Sequence, residues 1–430
     1  MSWAQIGSNI PGETNLDEFG GSTSINGDGT IVAFSAMKGD DGGSNSGEIE
    51  VWKYNSGTSA WEQMGSDIPG ESADDQAGFC KLNNAGTRIV FGEHLNDADG
   101  SSDGNALRDG SVKVYDYNSG SDSWSQVGSD IDPNPLGQGD QFGVCVGINS
   151  AGNKIIVGAR YWDNSGGTHV NKGYAEVYEY SGGSWSLLGS RIEGPCNKGN
   201  FGQGVDINAA GDKIVIGGEA VDQDLAGNDD NEGIVQAYEW NGSNWVQLGA
   251  NMFGDSAGDK LGSNVSMNNS GNRILACTRS GLYAKVYEYS SGSWSQLGSN
   301  ISVTTTGTPF RGDINSDGDV VVIGDPLVSS SRGQVKVYQY NTGTSAWDLV
   351  SSAIDGGATG DLFGISVSIN DQGEYISIGA RGVGTDKGAG YIYYNSSLEE
   401  EEGGGGSGGK LTVKGSGKIT VKGLGKMTVK

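Results

Sequence analysis

One phrase recurs seven times along the 430-residue chain and limits what it can fold into more than any other feature. Each copy is a tryptophan followed by a short run such as AQIGS or EQMGS and then by a turn. The copies begin at Trp3, Trp61, Trp124, Trp185, Trp245, Trp294 and Trp347. A regular repeat of this length is typical of propellers and solenoids, so the chain is divided by its repeats and not by its length.

Three further signals follow in a fixed order within each unit. The first is an aromatic residue and glycine that open a short apolar strand ending in Asn, as in FGVCVGIN at Phe142. The second is an apolar strand such as KIIVGA, and the third alternates Val or Tyr with charged residues, as in SVKVYDY. With the tryptophan strand these make four strands per unit, which predicts an all-β, seven-bladed β-propeller. A solenoid would need atypical capping repeats at both ends, and none is visible.

The phase of the repeat predicts how the ring closes. The first complete unit starts at Phe19, and the last unit, which starts at Phe363, lacks its own tryptophan strand. We therefore expect residues 3–8 to supply that outer strand by pairing with Tyr391–Tyr394. The propeller would span residues 1–395, and its closure would remove an open sheet edge.

Composition excludes several classes of function. No apolar run approaches the length of about 20 residues that a membrane helix needs, so we expect no membrane insertion. The net charge of −26 argues against nucleic acid as a partner, because phosphate binding needs clusters of Lys and Arg. Four cysteines show neither zinc-ligand nor disulfide spacing, which predicts reduced thiols. No signal peptide is visible at the start, and we expect a virion or extracellular surface location.

The repeats resemble the FG-GAP propellers of integrin α chains, and they are similar to the W-x-Q-L-G-x-D-I repeats of marine microbial and large algal-virus proteins. The FG-GAP resemblance implies that calcium is bound in the turn after the first strand. Only DINSDGD, with Asp313, Asn315 and Asp317, keeps the start of that pattern, and Val321 stands where the last carboxylate belongs. The alternative is an Asn/Gly hairpin turn without metal.

Nothing in the chain indicates catalysis, so we expect a protein that is not an enzyme. The two histidines, His94 and His169, follow the second strands of units two and three without a nucleophile elbow, phosphate loop or zinc motif. The tripeptide RGD at Arg311–Asp313 falls in the innermost strand of unit six, where a partner would not reach it.

Variable loops after the second strands are the expected ligand-binding region, because loops on a rigid scaffold carry specificity. The loop RYWDNSGGTHVNKG offers Tyr161, Trp162 and His169 for stacking on a sugar, and His94 is a further candidate. The alternative is a tryptophan that packs over a neighbouring blade.

The composition changes after Asn395. Residues 396–409 are an acidic, glycine-rich linker, and residues 410–430 repeat K-(L/I/M)-T-V-K three times. This tail resembles the β-repeats of phage fibres, which implies self-association, with a trimer possible, or attachment. The alternatives are an engineered tag and a disordered basic tail.

Together these features favour a non-enzymatic, surface-displayed binding or structural protein, a virion or phage-like fibre component that recognises a host- or cell-surface glycan or protein. A secreted microbial adhesin or matrix protein and a glycan-active propeller enzyme are the alternatives. No cofactor is expected beyond the calcium candidate.

Overall fold

The computed structural model of the chain describes residues 2–97, 108–134, 139–163, 170–225, 230–305 and 311–398, and these residues form seven blades. The predicted all-β, seven-bladed β-propeller is confirmed. Two short strands, β1 (Ala4–Gln5) and β2 (Ile10–Pro11), precede the first complete blade and belong to the last. The compact body ends at Leu398.

Blades one to three follow each other along the chain, and each runs from the inside of the ring to the outside. Blade one contains β3 (Phe19–Ile25), β4 (Ile31–Ala36), β5 (Glu48–Asn55), β6 (Ala60–Gln63) and β7 (Ile68–Pro69). Blade two contains β8 (Ala77–Leu82), β9 (Arg88–Glu93), β10 (Ser111–Asn118) and β11 (Ser123–Gln126). Blade three contains β12 (Phe142–Ile148), β13 (Lys154–Ala159), β14 (Tyr174–Ser181), β15 (Ser184–Leu187) and β16 (Ile192–Glu193).

The remaining blades keep the same order. Blade four contains β17 (Phe201–Ile207), β18 (Lys213–Gly218), β19 (Ile234–Trp240), β20 (Trp245–Gln247) and β21 (Met252–Phe253). Blade five contains β22 (Leu261–Met267), β23 (Arg273–Thr278), β24 (Tyr283–Ser290), β25 (Ser293–Gln296) and β26 (Ile301–Ser302). Blade six contains β27 (Arg311–Ile314), β28 (Val320–Asp325), the turn α1 (Val328–Ser331), β29 (Gln334–Asn341), β30 (Ala346–Leu349) and β31 (Ile354–Asp355). Blade seven contains β32 (Ser366–Ile369), β33 (Tyr375–Ala380), the turn α2 (Val383–Asp386) and β34 (Ala389–Tyr394), and a 3-10 turn, Ser396–Leu398, follows it.

Ring closure occurs as the repeat phase predicts. Strand β1 pairs antiparallel with β34, with Ala4 opposite Tyr394 and Gln5 opposite Tyr393. Strand β2 pairs with the start of the same strand, with Ile10 opposite Gly390. Blade seven is therefore completed by residues from both ends of the propeller sequence.

The residues that recur from repeat to repeat form contacts between neighbouring blades. The Phe side chains that open the inner strands, such as Phe19 and Phe201, are fully buried. The following glycine has a positive φ, and at Gly202 a Cβ would lie 2.2 Å from the main-chain oxygen of Tyr174. No other residue fits that approach without displacing the backbone. Because seven apolar clusters recur around the ring, the core lies between blades and not at one centre.

The asparagine that ends each inner strand organises the turn to the second strand. The side-chain oxygen of Asn26 accepts hydrogen bonds of 2.9 Å from the main-chain nitrogens of both Thr30 and Ile31. In each of the other six blades, the side-chain oxygen of the asparagine at this position accepts at least one equivalent bond from a main-chain nitrogen. These residues are Asn83, Asn149, Asn208, Asn268, Asn315 and Asn370. An Asn side chain satisfies these backbone donors as a peptide carbonyl would.

The two sides of the ring differ in their connections. One side, here called the turn face, carries the asparagine turns. The other, called the loop face, carries the segments after each second strand together with the segments that enter the next blade. They contact each other there: the main-chain nitrogens of Gly70 and Ala77 donate to the oxygens of Gly47 and Ser46, both at 2.7 Å. Within the described residues, no helix is long and apolar enough to cross a membrane.

Candidate functional site

The two aromatic candidates of the blade-three loop have different neighbours. A channel runs through the middle of the propeller between the seven inner strands. The ring of Tyr161 lies 4.5 Å from the guanidinium carbon of Arg160, which follows the second strand of blade three. Trp162 instead packs edge-on against Tyr174, with ring centroids 5.5 Å apart, and Arg191 lies 5.3 Å from its ring. The packing alternative therefore describes Trp162, while Tyr161 stays near the loop face. His169 lies outside the described residues.

His94 is buried at the loop-face end of the channel. Its ring stands edge-on to Phe79 at 5.8 Å, and 8% of the residue is exposed. The Nδ1 atom is buried and has no hydrogen-bond partner. Burial, together with the positive charges of Arg160 and Arg108, lowers the pKa of His94 to about 4, so the ring is neutral at physiological pH. A neutral imidazole is able to donate or accept a hydrogen bond to a ligand.

The calcium candidate of blade six has its oxygens engaged within the protein. The carboxylate of Asp313 accepts bonds from Ser266 Oγ at 2.6 Å, Ser368 Oγ at 2.9 Å and the Ile369 nitrogen at 3.1 Å. Asn315 caps its own turn, and Asp317 lies within that turn. In the parts of the chain that the structure describes, no three His, Cys, Asp or Glu side chains are grouped to hold a metal. The hydrogen bonds of an Asn/Gly turn are present at this position, and calcium binding there stays a prediction.

Sequence reasoning missed a group of arginines at the loop-face end of the channel. We call Phe79, His94, Arg160, Glu219, Arg279 and Arg311 the upper-channel cluster. Arg160 donates to the side-chain oxygens of Gln141 at 2.8 Å and Gln203 at 2.9 Å. Arg279 donates to Glu219 at 2.7 Å. The sequence did contain a signal, because a charged residue or a histidine follows the second strand in each of blades two to five. These residues are, in order, His94, Arg160, Glu219 and Arg279.

Arg311 completes this group from the opposite side of the channel. Its guanidinium lies 5.5 Å from the ring centroid of Phe79, which belongs to blade two, whereas Arg311 belongs to blade six. The two residues line a cavity with about 570 Å³ of free space, open solvent included. Burial lowers the pKa of both Arg311 and Arg160, yet arginine remains a cation in proteins.

A second polar ring lies toward the turn face. It is formed by the residue two places before the turn asparagine in six of the seven inner strands, the exception being Gly147 in blade three. Its charged members are Lys81, Asp206 and Asp313. Burial alone would lower the pKa of Lys81, but the Asp313 and Asp206 carboxylates outweigh it and raise that pKa. Lys81 and Ser266 line the cavities on both sides, so this ring lies between them.

Blade one has two buried acids, Glu48 and Glu50, that form no ion pair with any residue that the structure describes. Glu50 is 2% exposed, and only one of its oxygens has a partner, the indole nitrogen of Trp52 at 3.0 Å. Burial, and then the charge of Asp67, raises the pKa of Glu50 to about 8, and burial likewise raises that of Glu48 to about 8. In blade three the equivalent Glu176 accepts a bond of 2.8 Å from Arg191.

The cysteines are free thiols, as their spacing predicts. Cys80, Cys196 and Cys277 are buried and Cys145 is partly buried. Burial raises the pKa of Cys277 to about 12 and that of Cys80 to about 11, so both stay protonated and unreactive.

Comparison with known proteins supports the architecture. No protein-family model matches the chain, and no curated protein matches its sequence. The β-propeller domain of Cps50 (Swd1) from Myceliophteria thermophila is 9% identical with a TM-score of 0.56, and the match covers 92% of this chain and 100% of that domain. The C-terminal WD40 domain of Sif2 is 14% identical with a TM-score of 0.52, over 91% and 98%. The periplasmic gluconolactonase PpgL from Pseudomonas aeruginosa is 14% identical with a TM-score of 0.53, over 78% and 85%. At such identities the similarity shows the fold alone.

Proposed function

We propose that this protein is a non-enzymatic binding protein, displayed on a virion or phage-like fibre, that recognises a host-surface glycan through its loop face. The proposal rests on the location of the exposed apolar side chains. Seven large apolar residues of the described chain are more than a third exposed, and four of them stand in loop-face segments: Leu16, Val170, Leu225 and Leu282. Exposed apolar groups on a face of variable loops are typical of an interaction surface.

The backbone of these loops supports the same interpretation. Leu16, Leu225 and Leu282 have positive φ values of 77°, 58° and 60°. A side chain with a Cβ rarely adopts that region, and such strain concentrates at ligand-binding sites because it holds a side chain in place. Here it holds three leucines toward solvent. Apolar side chains of this kind pack on the apolar face of a sugar ring, while nearby polar groups bind its hydroxyls.

Glycan-array binding tests the proposal with a matched set of variants. We expect binding by the full chain, and loss of most of that binding in Leu225→Ser and Leu282→Ser. Leu187 and Leu349 are each 46% exposed but lie on outer strands, so Leu187→Ser and Leu349→Ser are controls that should bind normally. No glycan binding, or equal loss in all four variants, would overturn the proposal.

The tail has a role in the same proposal. Residues 410–430 lie outside the described residues, and the fibre hypothesis gives them attachment or trimerisation. Light scattering should show a trimer for the full chain and a monomer for residues 2–398. A monomer in both cases would remove the fibre hypothesis and favour a secreted adhesin.

An enzyme acting in the channel is the second candidate function. His94, Glu219 and two arginines near each other favour it, as does the fold similarity to the periplasmic gluconolactonase. Hydrolysis of gluconolactone above the spontaneous rate, abolished by Glu219→Gln, would support this alternative. If gluconolactone is hydrolysed no faster than it is spontaneously, the enzyme alternative is excluded.

A further inference from the structure

The upper-channel cluster concentrates positive charge in a strongly acidic protein. The chain has nine arginines and a net charge of −26, yet blades three, five and six each contribute one arginine to this end of the channel. Of these three arginines, Arg279 is the one with a carboxylate partner in the described part of the chain, Glu219. Among the described residues, neither Arg160 nor Arg311 forms an ion pair. Within the cluster, three guanidinium groups therefore share the single carboxylate of Glu219, which leaves an excess of positive charge.

Keeping two such charges partly buried is unfavourable unless something offsets them. Burial of an ion without a partner costs several kcal/mol or more in free energy. The ion pair of Arg279 and Glu219 lies at the same end of the channel, and its two charges act on both Arg160 and Arg311. An anion bound at this end of the channel would offset the cost.

The geometry suits a planar anion. The ring of Tyr161 lies 4.5 Å from the Arg160 guanidinium, and Phe79 lies 5.5 Å from that of Arg311, so aromatic contacts limit the orientation of both groups. Arginine in a fixed orientation binds a carboxylate with two parallel hydrogen bonds. The buried and unpartnered Nδ1 atom of His94 lies beside Phe79 and offers a further hydrogen bond.

The charges of the second ring favour one direction of entry. Toward the turn face, Asp206 and Asp313 outnumber Lys81, so an anion approaching from that side meets net negative charge. From the loop face it meets the guanidinium groups first. The ligand would therefore enter from the side that carries the exposed leucines.

We propose that the upper-channel cluster binds the carboxylate of an acidic sugar, such as a uronic acid, at the end of the glycan that the loop face contacts. The identity of the larger ligand rests on the proposed function, whereas the carboxylate site rests on the cluster itself. Arg160 and Arg311 would bind the carboxylate, and His94 would bind a neighbouring hydroxyl.

Calorimetric titration of the full chain with D-glucuronate and with D-glucose tests this site. We expect glucuronate to bind with a Kd of about 1 mM or tighter and glucose to show no measurable binding. Arg311→Met and Arg160→Gln should each weaken glucuronate binding at least about tenfold, since each removes a charge-assisted pair of hydrogen bonds. Arg273→Gln is the control, because Arg273 pairs with Glu288 at 2.7 Å near the turn face, and it should bind as the unmodified chain does.

The outcomes separate this inference from the proposed function. Arginine-dependent glucuronate binding without any glycan-array signal would support the carboxylate site and overturn glycan recognition. Array binding restricted to neutral glycans, without glucuronate binding, would overturn the site and leave the proposed function standing. The site would also be overturned if Arg311→Met and Arg160→Gln keep the circular dichroism spectrum of the unmodified chain and bind glucuronate as tightly as it does.

Discussion

The indole nitrogen of Trp61 donates a hydrogen bond of 2.9 Å to the main-chain oxygen of Ile6, and this bond joins blade one to the strand that closes blade seven. Five other repeat tryptophans make the equivalent bond to the preceding blade, at 2.7 to 2.9 Å: Trp124, Trp185, Trp245, Trp294 and Trp347. Gly7 lies under the same indole, where a Cβ would come within 2.9 Å of Trp61 Cδ1. The tryptophan and the glycine of the repeat are thus two sides of one contact between blades.

Replacing Trp61 by Phe tests the value of this bond. Trp61→Phe keeps an aromatic ring but removes the donor, and we expect the free energy of unfolding to fall by about 1 kcal/mol or more. Trp3→Phe is the matched control, because the Nε1 atom of Trp3 is buried without a hydrogen-bond partner. Thermal unfolding should show a larger loss in Tm for Trp61→Phe. Equal losses would mean that ring volume, and not the hydrogen bond, determines the effect.

Removal of the closing strand should destabilise the propeller far more than its length suggests. Deleting residues 2–11 removes β1 and β2 and exposes the edge of β34, whose backbone groups then lose their partners. We expect a lower Tm and aggregation in calorimetry and light scattering. A chain truncated after Leu398 is the control and should keep its Tm, since the compact body ends there. An unchanged Tm after the deletion would contradict the role of β1 in closure.

The acidic pair of blade one predicts a pH dependence of stability. The pKa of Glu50 in the folded protein is about 8, above its usual value of 4.5, so between these values the folded state binds more protons than the unfolded state. The contribution of Glu50 to the free energy of unfolding is therefore complete below about pH 4.5 and is lost as the pH rises through about 8.

Glu50→Gln should remove that loss. We expect the variant to have a Tm about 2 °C or more above that of the unmodified chain near pH 8.5, and an equal Tm near pH 4.5. Glu176→Gln is the control from blade three, and it should lower the Tm near pH 8.5 because it weakens the bond to Arg191. A Glu50→Gln variant that is less stable than the unmodified chain near pH 8.5 would show that the acid is ionised and paired.

Substitutions of Asp313 and Asp317 test whether each carboxylate has a structural role or binds calcium. Asp313→Ala leaves the Ile369 nitrogen without its acceptor, so we expect about 1–3 kcal/mol of destabilisation. Asp317→Ala alters only an exposed turn and should change the stability by less than about 0.5 kcal/mol. If calcium raised the Tm of the unmodified chain, and Asp317→Ala abolished that increase, the calcium hypothesis would stand.

The features that recur in every blade were predictable from the sequence. Seven copies of Trp and Asn, with Phe-Gly at the start of four inner strands, indicated the strand order, the turns and the pairing of residues 3–8 with the last blade. A contact that each blade makes with its neighbour recurs along the sequence in the same way. The buried position of RGD at Arg311–Asp313 followed from the same phase, and Gly312 and Asp313 are buried.

The channel was not predictable in the same way. Arg160, Arg279 and Arg311 come from different blades and, in the case of Arg311, from a different strand, so no single repeat shows that they lie near each other. Their proximity depends on how far each side chain extends across the channel. The location of Trp162 could not be predicted either, since its edge-on contact with Tyr174 and its contact with Arg191 involve residues from two other segments of blade three.

The register at the closure of the ring also has a consequence for chain connectivity. Gln5 faces Tyr393 as Gln63 faces Trp52 in blade one, so the gap between Asn395 and Trp3 occupies the place of an ordinary hairpin turn. A short glycine-rich bridge there would make the propeller backbone a continuous circle. A circular permutant opened instead in the exposed turn at residues 119–122 should fold to the same seven blades, with its new ends on the turn face of blade two. In such a molecule the site of the break would be a choice of the experimenter, because the tryptophan contact that holds one blade to the next recurs at six of the seven positions around the ring.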